Sequence, residues 1–254
     1  MRIFRKTRQT LRGLLRSTGY DVVRFNERLG DLEPSVSETI RAVRPYTLTS
    51  VQRLVALCDA VQYVVRNQIP GDIVECGVWK GGSMMAIART LIQADDQSRH
   101  LYLFDTYEGM TPPCDKDISV QGESASDLLH NEDKEDPQSV WCAAPLDEVR
   151  RVMGGVGYES SKVHFIKGRV EETLPSMAPE QISLLRLDTD WYESTRHEME
   201  QLFPRLSKGG VLIIDDYGHW QGARQAIDEY IKENKLQIFL HRIDETGRCA
   251  VKLA

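Results

Sequence analysis

The 254-residue sequence predicts an α/β fold: a doubly wound, Rossmann-like sheet of seven mostly parallel strands, closed by an antiparallel C-terminal hairpin and preceded by a helical N-terminal extension. Three observations predict it. Short apolar, β-branched runs alternate with stretches of helical periodicity. Several of those runs end in an acid or a glycine turn, as strands do at the ligand-binding edge of an open sheet. The last two runs are joined only by Asp244-Glu245-Thr246-Gly247, a connection short enough to force antiparallel pairing.

The elements follow in order. Residues 35–69 read as helical, with Val51, Leu54, Val55, Cys58, Val61 and Val65 on one stripe, and Pro70-Gly71 stops the pattern. Asp72–Cys76 is the first central strand, Gly77–Ser83 the turn after it, and Met84–Ala94 a helix. His100–Phe104 is a second strand, ending at Asp105. Residues 110–145 then break the rhythm with Pro112, Pro113, Pro137, Pro145 and many acids. An insertion of this kind reads as an active-site lid or a solvated loop. Leu146–Val156 resumes helical spacing and Lys162–Ile166 is a strand, followed by Gly168-Arg169. Two apolar runs ending in paired acids come next, Leu184–Asp190 and Gly209–Asp216. The helix between them carries Met199, Leu202, Phe203 and Leu206 inward and stops at Lys208-Gly209-Gly210. Gly222–Glu233 is a helix, and Leu236–Arg242 with Arg248–Leu253 forms the hairpin. This divides the chain into a basic arm, 1–34, and one domain, 35–254.

Composition narrows the function. The formal net charge is −6, which argues against a nucleic-acid binder. No apolar run approaches the ~20 residues needed to cross a bilayer. Cys58, Cys76, Cys114, Cys142 and Cys249 are odd in number and lack metal-ligand spacing, as expected of reduced thiols in a cytoplasmic protein. Residues 1–16 hold Arg2, Arg5, Lys6, Arg8, Arg12 and Arg16 without an acid, interleaved with Phe4, Leu11, Leu14 and Leu15. Such a segment suits peripheral contact with an anionic membrane face, or packing between subunits of a homo-oligomer.

The chemistry concentrates at strand ends. Asp188, Asp190, Asp215 and Asp216 fall at the tips of two strands expected to be parallel neighbours. Each alone could cap a helix or turn. Together they are costly unless a cation sits among them, and Mg²⁺ or a similar hard divalent ion is the simplest resident. Asp188 is the geometric favourite as ligand and Asp190 stands nearer an acceptor hydroxyl, but ligand and base are not separable from the sequence. The turn Glu75-Cys76-Gly77-Val78-Trp79-Lys80-Gly81-Gly82-Ser83 matches neither the dinucleotide nor the phosphate-loop spacing. With Asp105 able to accept ribose hydroxyls, Thr106 and Tyr107 beside an adenosyl group, Glu75 on a methionyl ammonium and Gly168-Arg169 along an adenine, the set fits S-adenosylmethionine. His219 is a rival base, Arg224 a candidate anion contact, and Trp191 and Tyr192 candidate sugar platforms or core residues.

Four runs resemble the macrocin-type O-methyltransferases, a family of antibiotic-sugar enzymes among the class I S-adenosylmethionine-dependent methyltransferases. They are Asp72–Ser83, Phe104–Gly109 (Phe-Asp-Thr-Tyr-Glu-Gly), Leu185–Thr195 (Leu-Arg-Leu-Asp-Thr-Asp-Trp-Tyr-Glu-Ser-Thr) and Pro204–Tyr217, with Ala223–Tyr230 after them. The resemblance spans about residues 48–235, in order and with spacing intact. It implies a metal-dependent methyl transfer from S-adenosylmethionine to a hydroxyl of a sugar or glycosylated small molecule, with Asp215, Asp216 and one or both of Asp188 and Asp190 holding Mg²⁺. Catechol-type methyl transfer and a non-catalytic binding protein of the same fold are the alternatives. Residues 1–34 and 110–145 do not align with the family, so the acceptor is left open.

Overall fold

The computed structural model describes residues 29–136 and 139–253; the basic run 1–16 lies outside them. Within residues 29–37 the Ser37 hydroxyl donates to the Leu29 carbonyl. The α/β body begins at Glu38.

The described residues contain a seven-stranded sheet in the order β3-β2-β1-β4-β5-β7-β6. Its strands are β1 (Asp72–Cys76), β2 (Leu101–Asp105), β3 (Val163–Lys167), β4 (Ile182–Leu187), β5 (Leu206–Ile214), β6 (His241–Arg242) and β7 (Arg248–Val251). The first five run parallel, and β7 pairs antiparallel with both β5 and β6. Strand order reverses between β1 and β4, so loops leaving the C-terminal ends of those two strands part and open a crevice, the usual ligand position in such sheets.

The helices are α1 (Pro34–Val43), α2 (Val51–Arg66), α3 (Gly82–Gln93), α4 (Ala125–Asn131), α5 (Leu146–Gly154), α6 (Val170–Thr173), α7 (Tyr192–Leu202) and α8 (Gln221–Glu233). Strand periodicity assigns the two faces of the sheet. Val74, Cys76, Leu185, Leu187, Leu212 and Ile214 pack with Met199, Leu202 and Phe203 around α7, and with Ile227 and Tyr230 of α8. The alternate positions, including Ile73, Glu75, Leu184, Arg186 and Ile213, belong to the opposite face, where α2 lies against β4 and β5.

Three expectations change. The helix expected over 35–69 is two helices: Pro45 sits in a 3₁₀ turn, Arg44–Tyr46, and Thr47–Ser50 run without regular structure before Ser50 caps α2 by accepting from the Arg53 amide at 3.1 Å. Lys208-Gly209-Gly210 does not follow a helix directly. It lies inside β5, where pairing jumps from Ile182–Leu206 to Leu184–Val211, a bulge that lets the strand restart beside β4. The strand expected over 236–242 is regular only at His241–Arg242, while Ile238 and Leu240 pack on the α7–α8 side of the core.

The 110–145 segment is not a freely solvated loop. It contains α4, and isolated antiparallel bridges join Ile118 to Ser124 and Ser119 to Trp220. Ala125 and Leu129 pack with Trp191, Trp220 and Ala223, and Met110, Val140 and Trp141 pack against that cluster.

Candidate active site

A cavity of about 360 Å³ opens at the C-terminal edge of the sheet. Its walls bring together most of the residues singled out from the sequence: Gly77, Gly82, Ser83, Asp105, Thr106, Gly168, Arg169, Asp188, Asp190, Asp215 and Asp216. Three of the candidates for holding the donor do not line it. Gly81 sits at the left-handed N-cap of α3. Tyr107 is buried, with its hydroxyl donating to the Leu103 carbonyl, so it supports β2 from beneath. Glu75 is fully buried and engaged by Arg186. His219 lines the cavity, and burial together with Arg53 holds its imidazole below the usual range. Arg224 lies on the helix surface beside Asp228. Trp191 is core, donating Nε1–H to the Thr111 carbonyl, and the Tyr192 hydroxyl donates to Glu229.

One half of the cavity is the glycine turn. Gly77 has φ +82°, and a Cβ there would collide with the Asp188 carbonyl oxygen. The tips of the two parallel strands therefore meet backbone to backbone, with the Asp188 amide donating to the Cys76 carbonyl at 2.8 Å. Asp105 organises this turn. Its Oδ2 accepts from the Val78 and Trp79 amides at 2.6 and 3.0 Å, and its Oδ1 from the Tyr107 amide at 2.6 Å. Burial pushes the Asp105 carboxyl up while those three donors stabilise its ionised form. With three acceptor positions filled, little capacity is left for a diol, and the carboxylate's first task is to hold the loop that lines the cavity.

The other half is acidic. Asp188, Asp215 and Asp216 each offer a carboxylate oxygen, and these oxygens lie within 4.8 Å of one another. Asp190 stands just outside, in a left-handed turn with φ +67°, its amide donating to Asp216 Oδ2 at 3.2 Å. Burial raises the Asp190 carboxyl to about 7, reinforced by repulsion from Asp188. Asp188 and Asp216 are pushed well up by burial and by the neighbouring carboxylates. Two arginines offset part of this charge. Arg186 sits 2.7 Å from Glu75, 2.7 Å from Asp188 and 2.8 Å from Asp215, and is itself 2 % exposed. Register explains the first pair: Glu75 and Arg186 are direct partners on adjacent strands. Arg53 from α2 pairs with Asp215 and with Asp244.

The donor set fits a hard divalent cation. It is all carboxylate oxygen, it faces a cavity, and the carboxylates outnumber the guanidinium groups. Asp215 Oδ1 is close to Arg186 but receives no well-directed hydrogen bond, which leaves a buried oxygen with unused acceptor capacity.

Reasoning from sequence missed Arg53, Arg186 and Asp244. Arg186 stood inside a quoted motif, and an arginine in an otherwise apolar central strand signals a buried partner. Arg53 and Asp244 meet across 191 residues of chain, a pairing no local pattern reports.

Sheet order, glycine turn and acid-tipped neighbouring strands define a class I S-adenosylmethionine-dependent O-methyltransferase. The chain belongs to the macrocin-O-methyltransferase (TylF) family, whose model matches residues 30–251. It is 34 % identical over 202 residues to an 8-demethyl-8-(2,3-dimethoxy-α-L-rhamnosyl)-tetracenomycin-C 4′-O-methyltransferase from Streptomyces olivaceus, covering 80 % of this chain and 74 % of that one. It is 32 % identical over 203 residues to a mycinamicin III 3″-O-methyltransferase from Micromonospora griseorubida, covering 80 % and 76 %. The solved structure of the O-methyltransferase NovP superposes with a TM-score of 0.71 at 29 % identity, covering 82 % and 83 % of the two chains.

Proposed function

We propose that the protein transfers a methyl group from S-adenosylmethionine to a sugar hydroxyl of a glycosylated small molecule, with Mg²⁺ held by Asp188, Asp215 and Asp216. The observation that carries this reading is the carboxylate triad sharing one cavity wall with the Gly77–Ser83 turn. The name of the first relative, which carries a rhamnosyl group, supports the acceptor class, a glycosyl hydroxyl.

The sulfonium methyl is already activated, so transfer needs an oxygen nucleophile placed in line with it. Gly77, Gly82 and Ser83 let the donor approach backbone closely, Asp105 keeps that turn in shape, and Gly168-Arg169 close its far side. Asp188, Asp215 and Asp216 would hold the divalent ion, which would supply Lewis-acid lowering of the acceptor hydroxyl's pKa. Asp190, just outside the triad with its amide bonded to Asp216, is placed to take the proton from the acceptor oxygen. Arg186 and Arg53 hold Asp188 and Asp215 in place from below and beside.

The test is calorimetric and catalytic. Titration with S-adenosylmethionine, with and without Mg²⁺, reports the donor site. Turnover of a rhamnoside panel, with and without EDTA, reports the metal. Asp216→Ala should abolish metal-stimulated transfer while leaving the fold intact. Full-rate transfer in EDTA would reject the metal assignment, and donor binding without transfer to any glycoside would reject the acceptor class.

A further inference from the structure

Asp117 is a buried acid that the proposed chemistry does not use. It comes from the 110–145 segment and is 1 % exposed. Its Oδ1 accepts from the Tyr192 amide at 2.7 Å, at the first turn of α7. Its Oδ2 accepts from the Cys114 amide at 2.8 Å, and its backbone carbonyl accepts from the Ala125 amide at the start of α4. The carboxylate also abuts the first turn of α8: a Cβ at Gly222 would collide with Oδ1. One carboxylate thus sits against the N-terminal turns of two helices, where the helix dipoles favour a negative charge.

Those two helices are the ones that follow the acidic strand ends. Tyr192 is two residues beyond Asp190, and Gly222 is six beyond Asp216. Further bonds run along the same seam. The Trp191 indole donates to the Thr111 carbonyl, the Gln221 amide to the Ile118 carbonyl, the Gln221 side chain to the Ser119 carbonyl, and the Val120 amide to the His219 carbonyl. Residues of the same segment, Met110, Thr111 and Cys142, form the cavity wall on this side.

We propose that Asp117 is a positioning residue that fixes the 110–145 wall to the helices that follow Asp190 and Asp216, so that the acceptor pocket and the acidic residues form as one unit. It touches neither donor nor reacting atoms. The inference rests on reading the cavity as a methyltransferase site, and it locates acceptor selection in this segment. Donor binding depends instead on the turn organised by Asp105.

The test uses two variants that break the contact from opposite sides, Asp117→Ala and Gly222→Ala, in the full chain, with methyl α-L-rhamnopyranoside as acceptor probe. Both should raise the acceptor KM on the order of tenfold or more, the effect of one charge-assisted hydrogen bond. Both should leave the S-adenosylmethionine Kd within about twofold, since Asp105 and the glycine turn are not involved. Hydrogen exchange should quicken at the Tyr192, Ala125 and Gln221 amides. Should Asp117→Ala fail to fold, Gly222→Ala and Gln221→Ala decide the matter by the same split. Unchanged acceptor KM in soluble variants with quickened exchange would overturn the proposal, as would equal losses of donor and acceptor affinity. If the wild-type protein binds donor but methylates no glycoside, the reading of the site fails, and exchange at the three amides still reports the clamp.

Discussion

Replacing Arg186 by Met tests the charge balance on which the whole strand edge rests. The substitution keeps a long side chain but removes the guanidinium from among Glu75, Asp188 and Asp215. Removing one partner of a buried ion pair costs about 3–5 kcal/mol, because the other partner is left in low dielectric without compensation. For a domain of this size each kcal/mol is worth about 2–4 °C in Tm, so the fall should be about 6–20 °C. The loss should also depend on pH. Burial raises the Glu75 carboxyl from 4.5 to about 7, with Arg186 acting in the opposite sense. A carboxyl raised on folding contributes stability that is full below its unfolded value and is lost as pH climbs through the folded one. Without Arg186 the folded value rises further, and the loss extends to higher pH. The gap between variant and wild type should therefore be narrow near pH 5 and wide near pH 8. Differential scanning calorimetry in EDTA at both pH values measures it. A gap below about 3 °C, or one equal at both pH values, would show that Arg186 is not the counter-charge for this cluster.

Two further outcomes bear on the donor side. Asp105→Asn can no longer accept from all three amides at Val78, Trp79 and Tyr107, so calorimetric affinity for S-adenosylmethionine should fall by about 1.5–3 kcal/mol, and an unchanged Kd would remove Asp105 from the site. Gly77→Ala combines a positive φ with a collision against the Asp188 carbonyl and should lower Tm by more than any surface change; wild-type Tm would mean that the turn relaxes freely.

The central sheet was legible because its strands are short, apolar and closed by acids or glycines. Asp188, Asp190, Asp215 and Asp216 fell together because parallel neighbours must bring their tips to one edge. What stayed hidden depended on long-range pairing. Nothing around Glu75 announces that its register partner is Arg186 rather than a ligand ammonium. Tyr107 follows Asp105 closely enough to look like a ligand contact, yet its positive φ turns it inward beneath β2. The Gly209-Gly210 pair reads as a helix stop, and only the pairing with β4 shows a bulge. The 110–145 segment lacks periodicity because its order comes from Asp117, Trp191 and Trp220, whose partners lie far along the chain.

The close approach of Gly77 to the Asp188 carbonyl has a consequence for how such a protein can diversify. The loop facing the donor and the strand tip bearing an acid are fused at one backbone contact, with no side chain between them to trim. Any substitution that reshapes one displaces the other, so this half of the cavity is a fixed chassis. Walls attached at a distance are free of that constraint. The stretch bearing Met110, Thr111 and Cys142 is such a wall, joined through amides and one carboxylate at its rim. On the proposed reading of the site, this stretch can be exchanged to fit another acceptor while the glycine turn and strand tip beneath stay unaltered.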